Sequence, residues 1–128
     1  MIAFFPGKFH PPHLGHLRSI MYLMKKYDTL IVGVSEHIPE APITTVDNII
    51  GILDSFFEYF DNVELTRIKG TLIHKTDLSG LPLFDVLVSG NQDVLDWAEK
   101  MGIKYEFMPR SEGYLFSGTE IRNELQNF

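Results

Sequence analysis

Apolar residues along the chain follow two alternating patterns: short runs, and longer stretches in which they recur every three or four positions. Short apolar or alternating runs rich in Val, Ile and Phe are typical of strands in a parallel sheet. They predict strands at residues 1–5, 30–34, 63–68, 84–89 and 103–108. The recurring pattern is typical of helices that bury one face. It predicts helices at residues 14–26, 46–60 and 94–101, and a last helix that begins at Ser117 or Thr119.

This regular succession of strands and helices predicts an α/β fold. Strands joined through helices run parallel, so we expect a doubly wound sheet of five parallel strands with helices on both faces, an α/β/α sandwich. The ligand of such a sheet binds at the carboxyl ends of its strands. The length of 128 residues predicts one domain, residues 1–128. Residues 69–82 have few periodic cues and are predicted to be a loop with at most one helical turn.

The composition narrows the class of protein. Hydrophobic residues make up 45% of the chain and charges of both signs are mixed, as in soluble globular proteins. The net charge of −6 argues against a general nucleic-acid binder, which normally carries a basic surface. The absence of cysteine excludes disulfides and thiolate metal sites. Because neither a membrane-spanning apolar run nor an export signal is recognisable, we expect a cytoplasmic protein without membrane contact.

The sequence GKFHPPHLGH at residues 7–16 lies where the first predicted strand passes into the first predicted helix. The first N–H groups of a helix lack partners within the helix and carry the positive end of its dipole, so this corner is a candidate anion site. His13 and His16 add imidazole donors, and Gly15 lets the backbone approach a ligand closely. This set of donors suits a phosphate that gains negative charge during a reaction.

Two motifs resemble those of a known family. His13-Leu14-Gly15-His16 resembles the HxGH signature of the nucleotidyltransferase, or cytidylyltransferase-like, superfamily. SGTEIR at residues 117–122 resembles its C-terminal element, Ser-Ser/Thr-Thr-x-Ile/Leu-Arg. The residues of these motifs are most similar to those of archaeal-type nicotinamide-nucleotide adenylyltransferases.

The resemblance implies a Rossmann-like fold and a particular activity. An enzyme of this kind moves an adenylyl or cytidylyl group from a nucleoside triphosphate to a phosphate-bearing acceptor and releases pyrophosphate. The implied substrates are ATP or CTP with Mg²⁺, and nicotinamide mononucleotide is one candidate acceptor. The choice between ATP and CTP depends on backbone contacts that a sequence does not display.

The resemblance also implies roles for individual residues. Catalytic contacts are expected from His13, His16, Lys8 and Arg122. Nucleotide binding is expected from Phe5, Gly7, Phe9, Gly15, Gly90, Asn91, Ser117, Gly118 and Thr119. Contacts with the acceptor are expected from His10 and Ser35, and no residue is expected to bind a metal directly.

Two departures from the family pattern keep a second interpretation open. Lys8 stands where the similar enzymes often have arginine, and a lysine meets phosphate without the bidentate fork of a guanidinium. Asp47-Asn48 stands where they usually have a Glu-Arg pair at the start of the second helix. The alternative is a nucleotide-binding regulatory domain without turnover.

Other features also allow more than one interpretation. Ser117 and Glu120 match a capping box, and Asn91 is a candidate cap for an ordinary strand–helix turn. A zinc site at His10, His13 and His16 would lack the usual carboxylate or cysteine, and nothing in the loops demands the flavin of a flavodoxin-like carrier. The expected partners are a small-molecule nucleotide and a phosphorylated acceptor. A homo-oligomer is also expected, because the aromatic residues at positions 56–60 exceed what one helix face buries.

Overall fold

The computed structural model describes residues 1–9, 12–36 and 45–108 of the chain. The strands in these residues are β1 (Ile2–Gly7), β2 (Thr29–Ser35), β3 (Val63–Ile68), β4 (Val86–Ser89) and β5 (Tyr105–Phe107). The helices are α1 (Leu14–Lys26), α2 (Val46–Phe57) and α3 (Gln92–Lys100), and a 3₁₀ turn spans Leu72–His74. The last predicted helix lies outside the described residues.

The five strands form one sheet in the order β3-β2-β1-β4-β5, and every neighbouring pair is parallel. Residues of α1 and α2 pack on one face of the sheet, and residues of α3 and the 3₁₀ turn pack on the other. The chain therefore reverses its direction along the sheet between β1 and β4. This arrangement confirms the predicted doubly wound α/β/α sandwich.

Alternate side chains of the central strands enter the two cores. In β2, Leu30 and Val32 are buried on the face covered by α1 and α2, whereas Ile31 between them is buried on the face covered by α3. A strand covered on both faces needs an unbroken apolar run, which is why β2 was recognisable in the sequence. β5 lies at the edge of the sheet and leaves Tyr105 and Phe107 exposed.

A glycine in β2 allows the central strands to pack closely. A Cβ atom placed on Gly33 would lie 2.7 Å from side-chain carbons of both Phe4 and Ile68. Contacts of that length do not occur between real side chains, so a side chain at this position would displace one of these neighbours. The glycine thereby gives the Phe4 ring its place in the core under α3.

Local signals set the ends of the helices. The Thr45 hydroxyl accepts a hydrogen bond from the Asn48 N–H at 3.1 Å and caps α2. Gly102, at φ +74°, follows α3 in the left-handed conformation that glycine commonly adopts after a helix. The prediction that the second helix reaches residue 60 is wrong. The helix ends at Phe57, and the Phe60 N–H then donates to the Phe57 carbonyl at 3.0 Å in a turn.

The predicted loop at residues 69–82 contains the one helical turn that the sequence allowed for. Leu72, in this 3₁₀ turn, is buried in the same core as α3. The Trp97 indole N–H donates to the Lys75 carbonyl at 2.9 Å and joins the end of the turn to α3. Among the described helices, none combines the length and the apolar character that crossing a membrane requires.

Candidate functional site

The candidate site lies at the carboxyl edge of the sheet, where the chain reverses between β1 and β4. Gly7 ends β1 and Ser89 ends β4, and these two strands are neighbours in the sheet. In open parallel sheets such a reversal leaves a crevice, because the two strands continue toward opposite faces. The fold therefore brings the HxGH segment and the loop at Gly90-Asn91 to one edge of the sheet on adjacent strands.

The two histidines of the HxGH segment lie together at the first turn of α1. His13 is the N-cap residue, and its backbone N–H donates to Nδ1 of His16 at 3.1 Å. The two imidazole rings stack with their centroids 3.7 Å apart and their planes 22° apart. Two imidazolium charges at this separation would repel each other, so the pair as placed favours at least one neutral ring.

The hydrogen bond from the His13 amide determines which nitrogen of a neutral His16 carries the proton. Nδ1 accepts this bond and is therefore unprotonated in a neutral ring, so the proton resides on Nε2. His16 then offers an N–H donor at Nε2, next to the first backbone N–H groups of α1. This is the donor type that a phosphate oxygen needs.

Phe9 lies beneath this pair in the core. Its side chain is 3% exposed, and its ring meets the His16 ring nearly perpendicularly, with centroids 4.8 Å apart. Phe5, half-buried in β1, meets the Phe9 ring edge-on at 5.9 Å. The described contacts of Phe9 are thus with the core and with His16, and direct contact of Phe5 or Phe9 with a nucleotide stays a prediction.

The loop after β4 forms a standard start to α3. The Ser89 hydroxyl accepts a hydrogen bond from the Asn91 N–H at 3.1 Å, and Oδ1 of Asn91 accepts one from the Asp93 N–H at 2.9 Å. Asn91 is therefore the N-cap of α3, which is the capping role left open by the sequence. Binding of a nucleotide by Gly90 and Asn91 stays a prediction. The cap uses the Asn91 side chain and is compatible with a ligand that approaches the loop backbone.

Of two further predicted site residues, one is exposed to solvent and the other is buried. Lys8 follows β1 and is exposed, and its contact with a phosphate stays a prediction. Ser35 ends β2 with 8% of its surface exposed, and its hydroxyl donates to the Gly70 carbonyl at 2.9 Å. The described role of Ser35 is thus to hold the loop after β3, and its contact with an acceptor stays a prediction.

Several predicted site residues lie outside the described part of the chain. They are His10, Ser117, Gly118, Thr119 and Arg122. The meeting of the two sequence motifs on one triphosphate, and the zinc interpretation that includes His10, therefore stay predictions. Within the described ranges, no three His, Cys, Asp or Glu side chains are close enough to hold one metal ion.

The departure at the start of α2 has a structural counterpart that the sequence analysis missed. The Asp47 carboxylate forms an ion pair with Arg67 of β3, and this hydrogen bond holds the pKa of Arg67 above its usual value. Arg67 pairs with Val34, which pairs with Gly7, so the three residues form one row across the sheet near its carboxyl edge. An ion pair between residues 20 positions apart has no signal in the sequence.

A shallow groove of about 460 Å³ lies between the 3₁₀ turn and α3. Charges of both signs line it, including those of Lys75, Lys100, Asp93 and Asp96. It belongs to the face of the sheet opposite α1, so it is separate from the histidine pair. No motif in the sequence pointed to it.

The fold and the position of the site define a nucleotide-binding α/β protein of the Rossmann-like class. A family model described as cytidylyltransferase-like matches residues 4–124. The chain belongs to this family of nucleotidyltransferases.

Two relatives with similar sequences carry the same name, nicotinamide-nucleotide adenylyltransferase. The protein from Sulfurisphaera tokodaii is 36% identical in an alignment that covers 95% of this chain and 77% of the relative. Nicotinamide-nucleotide adenylyltransferase 1 from Sulfolobus acidocaldarius is 30% identical over 95% of this chain and 76% of the relative. Both alignments include nearly all of this chain.

Solved structures show the same fold. A bifunctional NMN adenylyltransferase/ADP ribose pyrophosphatase from Francisella tularensis superposes with a TM-score of 0.63 at 15% identity, covering 98% of this chain and 41% of that one. The NadR protein in complex with NAD and AMP-PNP superposes with a TM-score of 0.65 at 18% identity, covering 98% and 42%. This chain thus spans about two fifths of each of these longer proteins.

Proposed function

We propose that this chain transfers the adenylyl group of ATP to nicotinamide mononucleotide, forming NAD and releasing pyrophosphate. The observation that carries the proposal is the His13–His16 pair at the first turn of α1, next to the reversal of the sheet. The family supports nucleotidyl transfer, and the names of the two relatives support ATP and nicotinamide mononucleotide as substrates.

The proposed reaction is a displacement at the α-phosphorus of ATP. A phosphate oxygen of the acceptor forms a new bond to this phosphorus, and the bond from the phosphorus to the oxygen that bridges to the β-phosphate breaks. Negative charge increases on the oxygens around the reacting phosphorus and on the departing pyrophosphate. The Nε2–H of His16 and the first N–H groups of α1 would donate to these oxygens without needing to rearrange.

Other residues would bind the two anions. Lys8 would supply a positive charge close to the end of β1, and Thr119 and Arg122 are the further predicted contacts of the triphosphate. Holding both substrates in line removes much of the entropic barrier of a reaction between two molecules. No covalent intermediate with the protein is required.

When bound with the triphosphate, Mg²⁺ would neutralise part of the negative charge on the departing pyrophosphate. Mg²⁺ prefers phosphate oxygens and water and is commonly held by few protein ligands. The protein would then recognise the metal–triphosphate complex chiefly through its donors to phosphate.

The proposal is tested by following NAD formation with purified protein, ATP, nicotinamide mononucleotide and Mg²⁺. Parallel reactions replace ATP with CTP, or omit the acceptor. We expect product with ATP and the acceptor together. Tight ATP binding in calorimetry without product from any of a panel of phosphorylated acceptors would instead identify a regulatory domain.

Replacing His16 with alanine tests its assigned role. We expect His16→Ala to lower kcat by about 10²–10³-fold, the usual cost of removing one donor to a developing oxyanion. Lys25→Ala, an exposed change in the last turn of the same helix, serves as the control and should retain the wild-type rate. If His13→Ala and His16→Ala both retain the full rate with a true acceptor, the roles assigned to the pair are wrong.

A further inference from the structure

The backbone at Phe9 adopts a conformation that side chains rarely tolerate. Among the described residues other than glycine, Phe9 alone has a positive φ, +50°. A bulky residue in the left-handed region is strained, and it persists only where its surroundings hold it. Strain of this kind often occurs at functional sites. The contacts that the Phe9 ring makes in this conformation therefore indicate what the strained backbone is for.

The strained backbone folds the Phe9 ring back over the end of β1. A Cβ atom on Gly7 would lie 3.0 Å from two carbons of this ring, so the ring packs directly on the glycine backbone. The ring is 3% exposed and is also contacted by Phe5. It therefore has little freedom to move, and it presents a rigid apolar surface to the His16 imidazole at 4.8 Å.

The orientation of the His16 ring matters because its two nitrogens have different tasks. Nδ1 accepts the His13 N–H, and this bond leaves Nε2 as the protonated nitrogen. A half-turn about the bond between Cβ and the ring would exchange Nδ1 with a carbon and would also replace Nε2 with a carbon. His16 would then lose both its bond to the His13 amide and its donor to phosphate.

We propose that Phe9 is a positioning residue, whose ring holds the His16 imidazole in the orientation that places Nδ1 on the His13 amide and makes Nε2–H the donor to the triphosphate. The catalytic consequence rests on the function proposed above, whereas the fixed orientation and tautomer of His16 do not. Gly7 and the left-handed backbone of Phe9 serve the same purpose. The backbone turns the ring toward the end of β1, and the absence of a side chain at Gly7 gives the ring room beside the imidazole.

Phe9→Leu tests this proposal, because leucine keeps an apolar side chain but removes the flat ring. Long-range ¹H–¹⁵N correlation spectra report which ring nitrogen of each histidine is protonated. The His16 signals are assigned by their loss in His16→Ala. We expect one Nε2–H form of His16 in the wild type and a mixture of forms in Phe9→Leu, both without substrate. Retention of the single Nε2–H form in Phe9→Leu would overturn the proposal.

Kinetics provide the second measurement. We expect Phe9→Leu to lower kcat by about ten- to a hundredfold, while KM for ATP and for the acceptor changes less than threefold, since misplacing a catalytic group mainly affects the transition state. A large loss of kcat with an unchanged His16 tautomer would also overturn the proposal. If the wild type makes no NAD, the proposed function fails, and the spectra still test the orientation of His16.

A matched control separates positioning from general packing. Phe84 stacks on Phe4 with centroids 4.9 Å apart in the core on the other face of the sheet. Phe84→Leu also removes one ring of an aromatic pair, and it should leave kcat and the His16 spectrum unchanged. Equal losses of kcat in both variants would overturn the proposal. If Phe9→Leu does not fold, Phe9→Met is measured in its place with the same expected results.

Discussion

At the scale of single residues, the structure shows which partners several predicted site residues contact. The Asn91 side chain caps α3, the Ser35 hydroxyl donates to a carbonyl in the loop after β3, and the Phe9 ring contacts the His16 ring. The sequence indicated that these residues lie near strand ends. It did not indicate their partners, because Ser35 bonds a carbonyl 35 positions away and short polar side chains have many local alternatives.

Two glycines provide a test of how tightly the core is packed. Gly33→Ala should lower the free energy of unfolding by about 1–3 kcal/mol, because its Cβ would overlap Phe4 and Ile68. Gly51→Ala in α2 is the matched control, because nothing lies within 4 Å of its Cβ. It should raise stability by about 0.5–1 kcal/mol through helix propensity. Urea unfolding measures both, and changes of the same sign would contradict the packing described here.

At the scale of elements, a polar cluster joins the end of α1 to the edge strand β5. The Lys26 ammonium and the Tyr27 hydroxyl both donate to the Glu106 carboxylate. Burial, and then the bond to Glu106, raises the pKa of Tyr27 to about 12. Burial would raise the pKa of Glu106, but the bonds from Lys26 and Tyr27 outweigh it and hold that pKa below its usual value. A contact 79 positions apart leaves no periodic signal in a sequence.

This cluster predicts an alkaline loss of stability. The pKa of Tyr27 is about 12 in the folded protein against 10 for an ordinary tyrosine, so its contribution is complete below pH 10 and is lost as the pH rises toward 12. Urea unfolding at several pH values should show a smaller loss in Tyr27→Phe than in the wild type. Tyr59→Phe, at a side chain that is 86% exposed, should follow the wild type. Identical profiles for all three proteins would rule out this role of Tyr27.

At the scale of the whole molecule, the order of the strands places the site. The chain reverses its direction along the sheet between β1 and β4, and the two predicted nucleotide-binding segments that lie within the described residues follow these two strands.

The end of α2 and the turn after it leave apolar side chains exposed. Phe56 is 54% exposed and Tyr59 is 86% exposed, and the homo-oligomer predicted from these aromatic residues stays a prediction.

The homo-oligomer is testable by light scattering on a sizing column. If the end of α2 is the contact between copies, Phe56→Lys should lower the measured mass toward that of a monomer, because a charge would then be buried without a partner. Leu83→Lys, at an apolar residue that is 91% exposed elsewhere on the surface, should keep the wild-type mass. A wild-type protein that is already monomeric would show that the prediction is wrong.

By itself, the sequence determined the class of fold, and it predicted which segment carries the catalytic residues. The five strands and three helices of the described residues were recognisable because a parallel sheet covered on both faces requires apolar runs, and the helices between its strands require a repeating apolar face. The HxGH motif was recognisable because its residues are adjacent in the chain. The predicted ends of helices and strands were less accurate. The second helix, for example, ends in a turn at Phe57, although the apolar pattern continues beyond it.

The tertiary structure decided the rest. It set the order of the strands, the pairing of Asp47 with Arg67, the cluster around Glu106, and the position of the Phe9 ring under His16. Each of these depends on distances between residues far apart in the chain or on a strained local backbone. Such distances result from the packing of the whole sheet and its helices, which no local pattern of residues encodes.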